Sequence, residues 1–149
     1  MYTGVWTIFY VFSYGTLKDE EFQKELFGRK LNMMDAALPD YKVYSDRDGY
    51  YYLKKYVGSI IKGKILEMTL RDLKISDLWE EAPIYTREER LVTLHGGDQK
   101  KKVYVYFKTN IEEEIKVNNE YTSLNSRSEV LKEIRQFKCE IRKNNLYSL

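Results

Sequence analysis

Near its start the chain carries Val5, Trp6, Thr7, Ile8, Phe9, Tyr10, Val11 and Phe12, an almost unbroken run of β-branched and aromatic residues. Little alternates within it, so the run predicts a strand over residues 5–13 that is covered on both faces and therefore central. Asp19, Glu20 and Glu21 then stand where a helix begins, Phe22, Leu26 and Phe27 recur at helical spacing, and Gly28 is placed as a stop. Tyr14 to Lys18 are left as a tight strand-to-helix loop. Residues 31–45 and 50–57 read as short strands around turns at Pro39-Asp40 and Asp46 to Gly49. Ile60 to Met68 reads as a further strand, in which Gly63 marks a bulge or a close approach of backbone.

Thr69 and Asp72 form a T-x-x-D capping box for a helix carrying Leu70, Leu73, Asp77 and Leu78, which ends before Pro83. That helix delivers Trp79, Glu80 and Glu81 at its C-terminal end. Arg87 to Leu94 and Lys102 to Lys108 make a hairpin across His95-Gly96-Gly97-Asp98, with Val103, Val105 and Phe107 alternating against Tyr104 and Tyr106. After Thr109 the chain is polar until Ser126-x-x-Glu129 opens a second capped helix, near residues 127–143, whose stripe is Val130, Ile134, Phe137 and Ile141. Strands with few helices between them predict an α+β domain, a largely antiparallel sheet curled into a partial barrel.

Composition narrows this picture. A chain of 149 residues, 43% hydrophobic and 32% charged, fits one domain, residues 1–149, with a core over 5–108 and an extension over 109–149. Twenty-five Lys and Arg against 23 Asp and Glu leave a net charge of +2, too little to draw the chain onto nucleic acid or anionic lipid. The fourteen tyrosines have no basic stripe beside them, so strand propensity accounts for them better than base stacking does. The run over residues 5–12 lacks a basic flank and an A-x-A-like site, and it is shorter than the ~20 residues of a membrane span. It reads as a buried strand of a cytoplasmic protein.

Eliminations shape the chemistry. One cysteine, Cys139, and one histidine, His95, cannot assemble a disulfide or a Cys/His metal centre in a single chain. Cys139 reads as a small side chain near the packed face of the last helix, and His95 as a turn residue. Neither a P-loop nor a G-x-G-x-x-G occurs, and a Ser-His-Asp or Cys-His site has no well-placed histidine. Carboxylate chemistry remains, helped by hydroxyls and backbone amides. Two segments offer it. Tyr14-Gly15-Thr16-Leu17 lies between a buried strand and a helix N-terminus, where N–H groups favour an anion and a glycine lets a ligand approach; the plain alternative is that Gly15 supplies a positive φ for the turn. Asp77-Leu78-Trp79-Glu80-Glu81 puts a carboxylate after a large aromatic at a helix end, where burial would raise its pKa; the plain alternative is a solvated charge pair.

Taken in order, these segments resemble the γ-glutamylcyclotransferase-like proteins, and among them the short γ-glutamylamine cyclotransferase-like branch. Val11 to Lys18 resembles the family's opening strand and Y-G-T-L loop, followed by Leu26-Phe27-Gly28. Ala36 to Tyr44 is similar to its small-residue strand and G-Y-x-L-Y-like turn, and Ile61 to Met68 to its V-x-G-x-L-Y-x-V strand. Asp77-Leu78-Trp79-Glu80 matches D-x-[FYW]-E, Tyr85-Thr86-Arg87 stands for Y-x-R, and Val103 to Tyr106 looks like the closing A-x-V-Y strand. The likeness covers residues 11 to 108.

The resemblance implies a small mixed β-barrel flanked by helices, a small-molecule γ-glutamyl substrate, and no cofactor or metal. It implies Glu80 as the catalytic acid/base and Tyr14, Gly15, Thr16 and Leu17 as the loop that holds the γ-glutamyl group. Two departures stand out. Glu81 takes the place of a usual glycine and Tyr85 lies one residue further on than usual, so a one-residue slip would make Glu81 the catalytic group. The usual Y-P pair after the second strand is replaced by residues 50–56, with Lys54 and Lys55. A specialised enzyme that removes a γ-glutamyl group from one biosynthetic intermediate, and a non-catalytic binding module on the same fold, are the competing expectations.

Overall fold

In the computed structural model the described residues are 7–46, 51–80, 85–94, 97–108, 114–116 and 127–144. Strand β1 (Phe9–Ser13) leads through a single 3-10 turn (Thr16–Lys18) into helix α1 (Glu20–Phe27). Strands β2 (Met33–Asp46) and β3 (Tyr51–Met68) follow, then α2 (Leu70–Trp79), β4 (Tyr85–Leu94), β5 (Lys100–Lys108), the short β6 (Glu114–Lys116) and α3 (Arg127–Lys143).

The sheet runs β3-β1-β5-β4-β2, and β2 pairs back onto β3, so five strands close on themselves. The partial barrel expected from the strand pattern is therefore a closed one. It is mixed because β1 runs parallel to β5, with Val11 opposite Tyr104, while its other neighbour β3 and the remaining pairs are antiparallel. β1 is central, as its apolar run implies, but it begins at Phe9 rather than at residue 5: Thr7 and Ile8 lie outside the strand, and Ile8 is 42% exposed. The hairpin β4–β5 pairs from Tyr85 opposite Lys108 to Thr93 opposite Lys100. His95 and Gly96, Val5 and Trp6, and Arg47 to Gly49 of the turn expected at Asp46 to Gly49 lie outside the described residues, while Asp46 ends β2.

Two apolar cores flank this wall. Phe12, Leu38, Val43, Ile61, Ile65, Val92, Val103 and Val105 fill the barrel interior. Val11, Leu17, Leu26, Leu66, Leu73, Tyr106, Val130 and Ile134 form the second core, between the outer face and the helices. The alternation in β5 thus separates two buried environments: Val103 and Val105 face one, Tyr104 and Tyr106 the other.

Three expectations need correction. Pro39-Asp40 is not a turn, and the stretch is not several short strands: β2 is one strand that passes through a bulge there, where the register with β3 shifts and Asp40 takes φ 66°. The Asp40 carboxylate accepts the Gly58 N–H at 3.0 Å, a bond that ties the bulge to β3, itself one strand of 18 residues. Cys139 is exposed rather than near the packed face of α3, which buries Val130, Ile134 and Ile141 with Phe137 half-buried.

Gly63 is a close approach, as its place in the strand implies. A Cβ there would lie 2.4 Å from the Ser13 carbonyl oxygen and 2.7 Å from the Phe12 ring. β3 bends across β1 at this point while Ala36 of β2 pairs with Gly63 from the other side. Gly63→Ala is expected to destabilise the fold by about 1–3 kcal/mol or more, since backbone cannot yield as a flexible side chain can. Urea denaturation of the variant beside wild type measures it.

Candidate active site

At the end of β1 the buried Ser13 turns the chain outward, and its Oγ accepts the Gly15 N–H at 3.3 Å. The Lys18 N–H donates to the Gly15 carbonyl at 3.3 Å and the Asp19 N–H to the Thr16 carbonyl at 3.1 Å, which closes the 3-10 turn. Leu17 is 2% exposed and anchors the loop in the outer core. Its carbonyl accepts the Gln23 Nε2 at 2.8 Å, while the Gln23 Oε1 accepts the Leu31 N–H at 2.9 Å. Gln23 is fully buried, so it ties the loop to α1 from beneath. Within the loop, then, Leu17 is an anchor, and Tyr14, Gly15 and Thr16 carry the more open surface.

Gly15 is not there for a positive φ. It sits at φ −123° and ψ −139°, and no described atom lies within 4 Å of where a Cβ would stand. The loop has room over this residue for something to approach its backbone. The N-terminus of α1, by contrast, already holds an anion: Asp19 Oδ1 accepts the Glu21 N–H at 2.9 Å and the Phe22 N–H at 3.2 Å. Burial opposes the ionised Asp19 carboxylate, but Arg127 and these two amides outweigh it and hold its pKa below the ordinary value.

The second segment is set by α2. Its Thr69–Asp72 capping box is complete, and the buried Asp72 carboxylate also pairs with Arg29. The helix runs to Trp79, and Glu80 caps it, its N–H donating to the Ser76 carbonyl at 2.9 Å. Asp77 meets β5, and Glu80 follows it three residues on, at the helix end. The Tyr106 hydroxyl donates to Asp77 Oδ1 at 2.6 Å and lies 2.8 Å from Ser76 Oγ. Its one hydrogen is committed to Asp77, so the Ser76 hydroxyl is the donor in the other bond. Burial, then the bond to Asp77, push the Tyr106 phenol far above its usual pKa, and the Glu80 charge adds to the effect. Tyr106 therefore stays a donor with Glu80 close enough to be felt.

Arg87 completes the cluster. Its Nε and Nη2 reach the two Asp77 oxygens at 2.6 and 3.0 Å, and its guanidinium lies 4.6 Å from the centre of the Tyr104 ring. Partial burial works against the charge on Arg87, yet the Asp77 carboxylate more than offsets it and raises the pKa. Trp79, the aromatic expected beside the carboxylates, turns its ring to Phe137 of α3, with centroids 5.3 Å apart.

Both segments gather at one end of the barrel. β1 and β5 run parallel with Val11 opposite Tyr104, so Ser13 and Tyr106, two residues on, emerge together, and Leu17 shares a core with Tyr106. A shallow depression of about 150 Å³ lined by Phe9, Tyr10, Lys102 and Tyr104 takes in neither Glu80 nor any residue of the 14–17 loop. Tyr85, of the Y-x-R segment, donates its hydroxyl to the Tyr51 carbonyl at 2.6 Å. Glu81 lies outside the described residues. No group of three His, Cys, Asp or Glu that could hold a metal occurs among the described residues, and none of their helices is long and apolar enough to cross a membrane.

Ser76, Tyr106, Gln23 and Arg127 were not legible as site-forming residues. Asp77 and Arg87 could be named as members of motifs, but the sequence carries no signal that joins them to each other. Tyr106 was visible as an alternating position and as the end of the A-x-V-Y-like strand, with nothing to join it to Asp77.

The site and fold define a class: a closed five-stranded mixed barrel with three helices, presenting a glycine loop and a helix-terminal glutamate at one end. The Gamma-glutamyl cyclotransferase, AIG2-like family matches residues 11–128, and the chain belongs to it. A curated protein of Methanocaldococcus jannaschii, described as "Gamma-glutamylcyclotransferase and putative RNase", is 33% identical over 100 residues. That match takes in 66% of this chain but 45% of the relative, so the chain spans less than half of the relative's length. Among solved structures, an Arabidopsis thaliana protein studied in solution has a TM-score of 0.63 at 20% identity, covering 91% of this chain and 87% of that one. A structure described as gamma-glutamyl cyclotransferase has a TM-score of 0.62 at 20% identity, covering 72% and 70%.

Two outcomes follow from these bonds. Tyr106→Phe is expected to cost about 1–3 kcal/mol in denaturation, because it leaves the Ser76 hydroxyl buried without its acceptor and strips Asp77 of a donor. For Asp19 the folded pKa is depressed, so the unfolded chain binds the proton more readily. Its contribution is present above the unfolded value of about 3.9 and is lost as pH falls through the folded one. The stability gap between wild type and Asp19→Asn, read by urea denaturation from neutral pH downward, should narrow only in that acid range.

Proposed function

We propose that the protein cyclises the γ-glutamyl group of a γ-glutamyl amine or amide to 5-oxoproline and releases the amine. The observation that carries this reading is Glu80, held at the end of α2 beside Asp77 and Tyr106, at the barrel end where the open-faced Gly15 loop emerges. The substrate's α-amino nitrogen attacks its own γ-carbonyl carbon, a five-membered lactam forms, and the bond to the leaving nitrogen breaks. Glu80 takes a proton from the α-ammonium and returns it to the departing nitrogen. No covalent enzyme intermediate, redox step or metal enters this balance.

Most of the remaining work is positioning. Well-oriented intramolecular attack carries effective molarities of about 10⁵ M or more, so holding the γ-glutamyl chain folded accounts for much of the barrier. The backbone of residues 14–17 is the clamp, either on the α-carboxylate or on the developing oxyanion. Arg87 and Tyr106 hold the Asp77 carboxylate in place, and Glu80 follows it three residues on at the helix end. A γ-glutamyl amine, as in the branch the sequence resembles, is the substrate class to test first.

The test is 5-oxoproline release from a panel of γ-glutamyl amines, amino acids and peptides. Glu80→Gln is expected to lower kcat by about 10²-fold or more at nearly unchanged stability, and Glu81→Gln to leave it close to wild type. Loss in Glu81→Gln alone would move the catalytic role one residue on. Activity confined to one intermediate would select the specialised enzyme, and binding of 5-oxoproline without turnover the non-catalytic module. A single-stranded RNA arm, included because the Methanocaldococcus jannaschii relative's name also carries RNase, is expected to stay uncut. Gly15→Ala separates the loop from the fold: it should raise KM while costing less stability than Gly63→Ala, since nothing described stands in its way.

A further inference from the structure

Helix α3 lies almost wholly beyond residues 11–128, the span matched by the family, yet it touches Asp19, which follows the loop, and Trp79, which precedes Glu80. At its first residue, Arg127 reaches Asp19 through Nη2 at 2.9 Å and Glu21 through Nε at 2.9 Å and Nη2 at 2.6 Å, with its guanidinium 4.9 Å from the centre of the Phe22 ring. Asp19 is the residue on which the 3-10 turn of the loop closes and the cap of α1. Further along, Arg135 pairs with Glu25 at 3.2 Å and the Lys138 Nζ donates to the Leu26 carbonyl at 2.8 Å, so α3 is bound to α1 at its start, middle and end. On its other side Phe137 meets Trp79, the residue before Glu80.

We propose that α3 is a strap across the site and that Arg127 is a positioning residue for the 14–18 loop, acting through Asp19. One guanidinium holding two carboxylates costs less side-chain order than two separate pairs, and here both carboxylates belong to the first turn of one helix. Fixing Asp19 fixes the end of the Thr16–Lys18 turn, whose entry is held by Ser13 at Gly15 and whose middle is held by Gln23 at Leu17. Of the two roles open to the loop, a clamp on the α-carboxylate meets the ground state and the transition state alike, so loosening it shows in KM rather than kcat. This kinetic consequence rests on the proposed function, whereas the mechanical one does not.

The test pairs kinetics with amide hydrogen exchange in the full chain. Arg127→Met should raise KM for a γ-glutamyl amine about threefold to tenfold with kcat held within about twofold. It should also speed exchange at the Lys18 and Asp19 amides, which close the turn. Arg127→Lys, which keeps the charge but not the fork, should recover part of both effects. Added salt should raise the wild-type KM, because the pair is exposed and screened. Arg135→Met breaks a comparable pair on the same two helices away from the loop, and should move neither readout. Wild-type KM and exchange in Arg127→Met, or equal shifts in Arg135→Met, would overturn the proposal. If wild type releases no 5-oxoproline from the panel, the proposed function fails, and the exchange comparison alone decides the strap.

Discussion

The absent side chain at Gly63 is the constraint on which the site depends. Only there can β3 cross so near β1 that a Cβ would lie 2.4 Å from the Ser13 carbonyl. The crossing lets β3 hold β1 on one edge and β2 on the other, and so closes the barrel. It also fixes where β1 stops. Ser13 is the last residue of that strand, and the loop that follows inherits its position from a backbone contact rather than from any flexible group.

Opposite the loop, α2 is located by a different kind of force. Its start is set by the Thr69–Asp72 box and Arg29, its end by the Ser76–Tyr106–Asp77–Arg87 chain of hydrogen bonds. Each donor in that chain meets an acceptor, so the half-buried Asp77 charge stays compensated and Tyr106 keeps its proton. Glu80 then hangs on a helix end that is fixed from two strands, β4 and β5. For the proposed reaction, a glutamate on a fixed helix end and a loop with an open glycine would suffice, since the substrate brings its own nucleophile.

The parts of this arrangement that were legible in the sequence are the local ones. The later part of the apolar run before Ser13, the acidic start of α1, the T-x-x-D box and the alternation around Val105 each depend on a few neighbouring residues, and each lies in the element its pattern predicts. The bulge at Asp40 was misread as a turn because Pro-Asp has turn chemistry, while its bond to Gly58 lies 18 residues away. Gly15 was open to a steric reading until its φ of −123° showed that no left-handed conformation is needed. The bonds from Tyr106 to Asp77 and from Arg127 to Asp19 span 29 and 108 positions, and no periodicity reaches so far. Family resemblance supplied Glu80 and the loop, but not the residues that hold them.

The central claim is that the substrate's own α-amine, and not water, attacks the γ-carbonyl. Reaction of a γ-glutamyl amine with the wild-type protein in ¹⁸O-labelled water, followed by mass spectrometry of the products, tests it directly. The account predicts 5-oxoproline without the heavy oxygen, together with the free amine. Glutamate carrying ¹⁸O would contradict it, because the carbonyl would then have been opened by hydrolysis.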